Sequence, residues 1–506
     1  VRSRRQRQMC IRDRFIMFII MSKNFNKEWY DYMIRVKLKQ YLGSMVTIAV
    51  ALFLFIVLFP TPVKADDNQA EEVNTTITLS NGGSVSRMTD GSYNTKTSFA
   101  SGDSITVTGK DKIYSLYIKW DLVPDEWTLS YNGTTKTYGT NGFLHEYVEI
   151  PEGAETLTIT FSSNEAICDL HAYSAGTAPS DVQAWKTPCD KADILVFATH
   201  ADDEILFLGG VLATYGGEQD LAVQVAYMCE FTSSAKIREH EKLDGLWESG
   251  IKHYPICGDF PDLYSTSLEA AKKQYIYDDV LSYTTSSIRR FKPLVVVTQD
   301  LNGEYGHGGH MLFSHAVAES VESSSEPSYF PDSASKYGTW DVPKTYLHLY
   351  SDNKITMNLR LPLSRMGNRT SIEVQTAAYK KHVSQQWCWF YVSDDYEYSC
   401  ADFGLYRTTV GNDSGNDMLE NITTYEEQEK IEKEKAEKES VEASIAAEES
   451  SIADVKSNTS NSTRQSGRKI IIFAALILIV IIILFAAYRY YQLIQSRKRH
   501  RRHKRK

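Results

Sequence analysis

No two of the chain's seven cysteines stand at C-x-x-C spacing, which argues against a zinc site built from cysteine. Six of them follow Ala65: Cys168, Cys189, Cys229, Cys257, Cys388 and Cys400. An even number permits disulfides in an oxidising compartment, and Cys388/Cys400 is the pair nearest in sequence. The 506 residues also lack one dominant charge, with a formal net of −9. The distribution says more than the sum. "EEQEKIEKEKAEKESVEASIAAEESS" is mainly acidic and the final "SRKRHRRHKRK" strongly basic. That asymmetry suggests tails and stalks around a globular middle, in a chain too long for one ordinary domain.

Two runs contain no charge at all. The first, Met45 to Phe59, follows Arg35, Lys37 and Lys39 and leads into "PTPVKA". It is short for a membrane span and suits a signal peptide over 21–65, cleaved after Ala65. An uncleaved anchor is the alternative. Residues 1–20 resemble no domain element and Met21 offers a start, so they are set aside as a spurious leader; a long basic n-region is the other reading. The second run, 470–488, reaches about 28 Å at ~1.5 Å per residue, close to the ~30 Å hydrocarbon core. It predicts a transmembrane helix over 469–489. The basic tail, 490–506, then lies on the cytoplasmic side. Its other reading is a nucleic-acid arm, but its place directly after a span favours topology, and no nucleic-acid partner is expected. The expectation is a single-pass plasma-membrane protein whose globular middle is extracellular, joined to the membrane by an acidic stalk and linker over 412–468.

The stretch 66–180 lacks helical periodicity and any chemical motif. "SITVTG", "SLYIKW", "WTLSYNG", "FLHEYVEI" and "TLTITFS" are short, β-branched and aromatic, and alternate in polarity. "NGG", "TDGS" and "YNGT" mark turns. A β-sandwich or jelly roll is predicted. Trp120, Trp127, Tyr131 and Tyr138 are candidates to stack on sugars, although aromatics in strands are more often core.

From 181 to 411 the pattern changes. "DILVF", "LAVQVAYM" and "PLVVVTQD" are apolar on both faces, as in buried parallel strands. Helical segments such as "EILFLGGVLATY" and "SAKIREHEKLDGLWESG" alternate with them. The fold class is therefore α/β, a Rossmann-like layered parallel sheet. "THADDE" follows the strand at 194–198, where sites form in open α/β sheets. Helix capping would account for one aspartate. Two beside a histidine are costly to bury without a cation. A second cluster, "YGHGGH", follows "PLVVVTQD" in a glycine-rich loop. Together the clusters supply two imidazoles and a carboxylate, the ligand set of a catalytic zinc with one open position; iron or cobalt are alternatives.

These paired motifs resemble those of the PIG-L/LmbE-like zinc-dependent N-acetylglucosamine deacetylases, whose patterns are A-H-P-D-D-E and Y-G-H-P-D-H. The resemblance covers roughly 184–410. It implies His200, Asp203 and His310 as Zn2+ ligands, Asp202 as general base, His307 as an electrostatic or acid partner and Tyr305 as the residue polarising the carbonyl. An "R-x-x-E" helix (Arg238, Glu241) also matches; Arg238 and Asp262, of "FPDLY", are then the substrate-binding residues, and "HVSQ" at 382–385 resembles a later motif. Ala201 stands where the family has proline, and Gly309 where it has the aspartate that supports the second motif's histidine, which puts the acid role of His307 in question. The implied activity is hydrolysis of an N-acetyl group on an N-acetylglucosamine-type glycan or glycoconjugate. The alternatives are a non-catalytic carbohydrate-binding surface protein, or an amidase acting on another sugar conjugate.

Overall fold

The computed structural model describes residues 69–458. The expected leader, signal peptide, transmembrane helix and basic tail lie outside the described residues. Among the described residues no helix is long and apolar enough to cross a membrane. Two compact units are present, one holding 69–142 and 146–184, the other 143–145 and 185–458.

The first unit contains β1 (Thr75–Leu79), β2 (Thr97–Phe99), β3 (Ser104–Trp120), β4 (Trp127–Tyr131), β5 (Thr134–Tyr138), β6 (His145–Phe161) and β7 (Glu165–Tyr173). They join in one sheet of order β2-β7-β3-β6-β4-β5, with β1 on β3. "SITVTG" and "SLYIKW" are not separate strands. No glycine or proline lies between Gly109 and Trp120 to break them, so they run together as β3. "YNGT" forms the expected hairpin: Asn132 and Gly133 take φ of 49° and 77°, as a tight turn between β4 and β5 requires.

The proposed sugar-stacking aromatics are core residues. Trp120 and Trp127 are fully buried and Tyr131 nearly so. Tyr138 is half-buried and stacks on Trp127 with centroids 4.9 Å apart. Both indole N–H groups donate to the buried Glu146 carboxylate, at 3.2 and 3.0 Å. An internal acceptor satisfies each polar handle, so neither ring needs the surface.

The second unit is built on a sheet of order β10-β9-β8-β11-β12-β16-β13. Its strands are β8 (Ile194–Ala198), β9 (Val223–Cys229), β10 (Ile256–Phe260), β11 (Val295–Thr298), β12 (Lys344–His348), β13 (Lys354–Thr356) and β16 (Asp402–Thr408). A separate small hairpin joins β14 (Pro362–Leu363) to β15 (Arg369–Thr370). The first five of the large sheet are parallel; β16 pairs antiparallel with β12, and the edge strand β13 antiparallel with β16. Every residue of β8, β9 and β11 is buried, as strands covered on both faces require. Strand order reverses at β8. β9 and β10 lie to one side and β11 to the other, which opens a crevice at the carboxyl ends of β8 and β11.

Two details depart from the sequence reading. "EILFLGGVLATY" is not one helix. It breaks into Asp203–Leu206, Gly209–Val211 and a wider π turn, Leu212–Glu218. Gly209 and Gly210 lie at the break, where a Cβ would meet Gln375 and the Cys400 carbonyl at 2.6 and 2.7 Å. The packed unit also continues beyond 411. Lys344, fully buried, donates to the carbonyls of Met418 and Glu420 at 3.0 and 2.9 Å and pairs with Asp413. A buried ammonium needs such partners, so 413–420 is held against the sheet. Only then does helix Tyr425–Asn458 begin, exposed throughout 431–446. Cys388 and Cys400 are not joined.

Candidate active site

The register of β8 and β11, Ile194 opposite Val295, brings the two motif loops side by side. Thr199 seals the junction: its N–H and hydroxyl both donate to the Gln299 carbonyl oxygen, at 2.9 and 2.5 Å. The crevice gathers His200, Asp202, Asp203, Arg238, Asp262, Tyr305, His307 and His310.

Three donor atoms converge there. His200 Nδ1 lies 3.0 Å from Asp203 Oδ2. His310 Nε2 lies 3.2 Å from that oxygen and 3.2 Å from His200 Nδ1. A tetrahedral ion with bonds of about 2.0–2.1 Å spaces its ligands by roughly 3.3 Å, so this nearly equilateral triangle fits a zinc-class ion. All three side chains are buried, and His307 lies close enough to join the cluster. Behind His310, Glu304 Oε2 accepts from Nδ1–H at 2.8 Å, which leaves the Nε2 lone pair for an ion. The other Glu304 oxygen binds His348 Nδ1 at 2.6 Å. Burial opposes ionisation of Glu304, but these two imidazoles outweigh it and bring its pKa down to about 2.

Asp202 stands at the N-cap position of Asp203–Leu206, but its carboxylate does not serve as the cap. It makes no side-chain capping bond, and its φ of 132° is strained for any residue but glycine. Its N–H donates to Glu204 at 2.8 Å, and Arg238 reaches its carboxylate at 3.2 Å. Burial pushes the Asp202 carboxyl up to about 7, against the pull of Arg238. The same guanidinium donates to the Ala201 carbonyl at 2.7 Å and sits 3.7 Å from Asp262. It thereby steadies the loop at the position where proline was expected. Asp262, after β10, also faces His200 Nε2 at 3.3 Å.

Tyr305, at φ 49°, places its ring 5.6 and 5.3 Å from those of His307 and His310. His307 heads helix Gly308–Ser323 and accepts the Gly309 N–H on Nδ1 at 3.1 Å. A Cβ at 309 would lie 3.0 Å from that ring, so the backbone takes over the orienting role of the absent aspartate. Burial first, and then the neighbouring His200 and His310, lower the His307 pKa to about 3.

The later motifs serve as supports. Glu241 accepts the N–H and hydroxyl of Ser384 at 2.8 and 2.5 Å, and buried His382 lies 3.5 Å from Glu204. Sequence reasoning missed Gln299, Glu304 and His348. Glu304 shares the loop of "YGHGGH" and was legible as a nearby carboxylate. His348 is a lone strand histidine and offered no signal.

A mainly parallel α/β sheet with two histidines and a carboxylate clustered at its switch point supplies a donor set that could hold a metal ion. Comparison with known proteins narrows this. Residues 195–321 match the family model described as PIG-L, GlcNAc-PI de-N-acetylase. The 1D-myo-inositol 2-acetamido-2-deoxy-alpha-D-glucopyranoside deacetylase 1 of Catenulispora acidiphila is 23% identical over 185 residues, 32% of this chain and 56% of the relative. The corresponding deacetylase 2 of Saccharopolyspora erythraea is 38% identical over 69 residues, 14% of this chain and 24% of the relative. The chain thus spans from about a quarter to little more than half the length of these curated relatives. The N,N'-diacetylchitobiose deacetylase of Pyrococcus horikoshii is 18% identical, with a TM-score of 0.31, over 39% of this chain and 72% of that one. Over 195–321 the second unit is thus similar to the PIG-L de-N-acetylase domain, the family that its paired motifs resemble.

Proposed function

We propose that the chain hydrolyses the N-acetyl group of an N-acetylglucosamine-type sugar in a glycan or glycoconjugate. One observation carries this reading: the triangle of His200, Asp203 and His310 lies beside a strained carboxylate, Asp202, that no helix cap uses. The curated relatives act on an acetamido sugar by name, which supports the substrate class.

His200, Asp203 and His310 would hold a zinc-class ion, which supplies a Lewis acid and makes water acidic enough to attack at neutral pH. Asp202 accepts the proton of the attacking water. Arg238 keeps that carboxylate aimed and, with Asp262, presents polar groups to the sugar. Tyr305 and His307 donate to the oxyanion that develops on the acetyl carbonyl. His307, whose Nδ1 accepts a backbone N–H, offers Nε2–H as donor. Asp202 then returns the proton to the leaving amine. We also propose that the catalytic unit faces outside, anchored by the 470–488 run; the support is the length of that run and its basic flank.

The test separates base from ligand. Asp202→Asn should lower acetate release by a factor on the order of 100 to 10,000 with metal retained, whereas Asp203→Asn should weaken metal binding as well. Full activity in Asp202→Asn would sink the assignment.

A further inference from the structure

The segment 385–398, "QQWCWFYVSDDYEY", carries three exposed large rings of the second unit, among them its most exposed, Trp387. Trp387 is 82% exposed, Trp389 61% and Tyr391 51%. Large apolar rings scattered singly need no explanation, but three within five residues form a patch that calls for an occupant. The segment is also firmly tied. Arg360 forks onto Asp394 at 2.9 and 2.6 Å. Gln386 donates to the carbonyls of Tyr379 and His382 at 2.9 and 3.1 Å. The rings are therefore presented on a held support, which lowers the entropy lost when something binds them.

The patch is continuous with the candidate active site. The Phe390 ring lies 4.5 Å from Tyr305 and 4.2 Å from Trp389. An unbroken run of rings thus leads from His307 through Tyr305 and Phe390 to exposed Trp389, farther than one six-membered sugar ring reaches. Asp395 and Glu397 are exposed on the same segment, a charge that complements the ammonium of a deacetylated unit.

We propose that Trp387, Trp389 and Tyr391 form a binding surface for further pyranose units of a polymeric substrate, so that the site takes a glycan chain rather than a free monosaccharide or a small conjugate. Flat aromatic faces suit the C–H face of a pyranose, and their polar edges suit its hydroxyls. This rests on the proposed deacetylase reading for the identity of the sugar, but its test does not need turnover.

Calorimetric titration of the metal-loaded full chain with the monomer and the hexamer of N-acetylglucosamine is the measurement. The hexamer should bind at least tenfold more tightly. Trp387→Ala/Trp389→Ala should bring the hexamer-to-monomer ratio down to near one, with metal content and melting temperature unchanged, and Trp387→Phe/Trp389→Phe should restore much of it. If the double variant does not fold, Trp387→Ala alone, at the most exposed ring, should show its share of the loss. Equal affinity of wild type for monomer and hexamer would overturn the proposal, as would an unchanged ratio in the alanine variants. So would an intact ratio in variants that instead lose binding to phosphatidylcholine/phosphatidylglycerol vesicles or lose self-association by light scattering. Absence of acetate release with the length-dependent binding intact would overturn the deacetylase reading and leave the glycan surface standing.

Discussion

Glu304 offers the sharpest test of how the site is held. Its carboxylate is fully buried and accepts from His310 Nδ1, His348 Nδ1 and the Asp300 N–H at 2.8, 2.6 and 3.0 Å. Glu304→Gln keeps the shape and removes one acceptor oxygen. Whichever way the amide turns, one imidazole N–H then faces an NH2 group. A charge-assisted bond is worth about 1.5–3 kcal/mol. If His310 loses it, the ring is free to turn and its Nε2 no longer points at Asp203. Loss of such an outer partner typically weakens metal binding 10- to 100-fold, roughly 1.4–2.7 kcal/mol. Competition between the protein and a chelating dye for zinc would read this directly, beside a melting curve without metal. A lower melting temperature with unchanged zinc affinity would refute the reasoning: Glu304 would then support the fold without orienting a ligand.

The remaining expectations are simpler. Elemental analysis of the purified chain should find about one zinc-class atom, and His200→Ala/His310→Ala should lose it; equal metal in the variant would dismiss the ligand set. In the first unit, His171 bridges Asp169 and Glu72 at 2.8 and 2.7 Å, and Asp169, ahead of the opposing effect of burial and the added pull of Glu72, raises its pKa to about 9. That stabilisation is complete below pH ~6.5 and is lost as pH rises through about 9. The upper bound is near 3 kcal/mol, discounted to ~1–2 because Glu72 is largely exposed. Denaturant melts from pH 6 to pH 10 should show the fall, and His171→Gln should flatten it. Protease added to intact cells should release an active fragment cut near 457–468; release only after lysis would reverse the proposed orientation.

Local chemistry determined much of this from the sequence alone. The runs "DILVF" and "PLVVVTQD" declare buried parallel strands because their centres, 194–197 and 294–297, carry apolar residues on both faces. "THADDE" and "YGHGGH" declare a ligand set because adjacent carboxylates and imidazoles are unfavourable in an interior without a cation. Alternation, β-branched and aromatic content and the turn signals between the runs marked 66–180 as β. What periodicity cannot carry is which strand neighbours which. Only the pairing of β8 with β11 places His310 Nε2 3.2 Å from Asp203, across a hundred residues of chain. Burial was likewise decided in three dimensions: Trp120 and Trp127 went inside because Glu146 waited there for their N–H groups, while Trp387 and Trp389, unremarkable in the sequence, stayed out. Glu304 and His348 belong to the site through one shared proton network, and such networks join side chains that are close only after the sheet has formed.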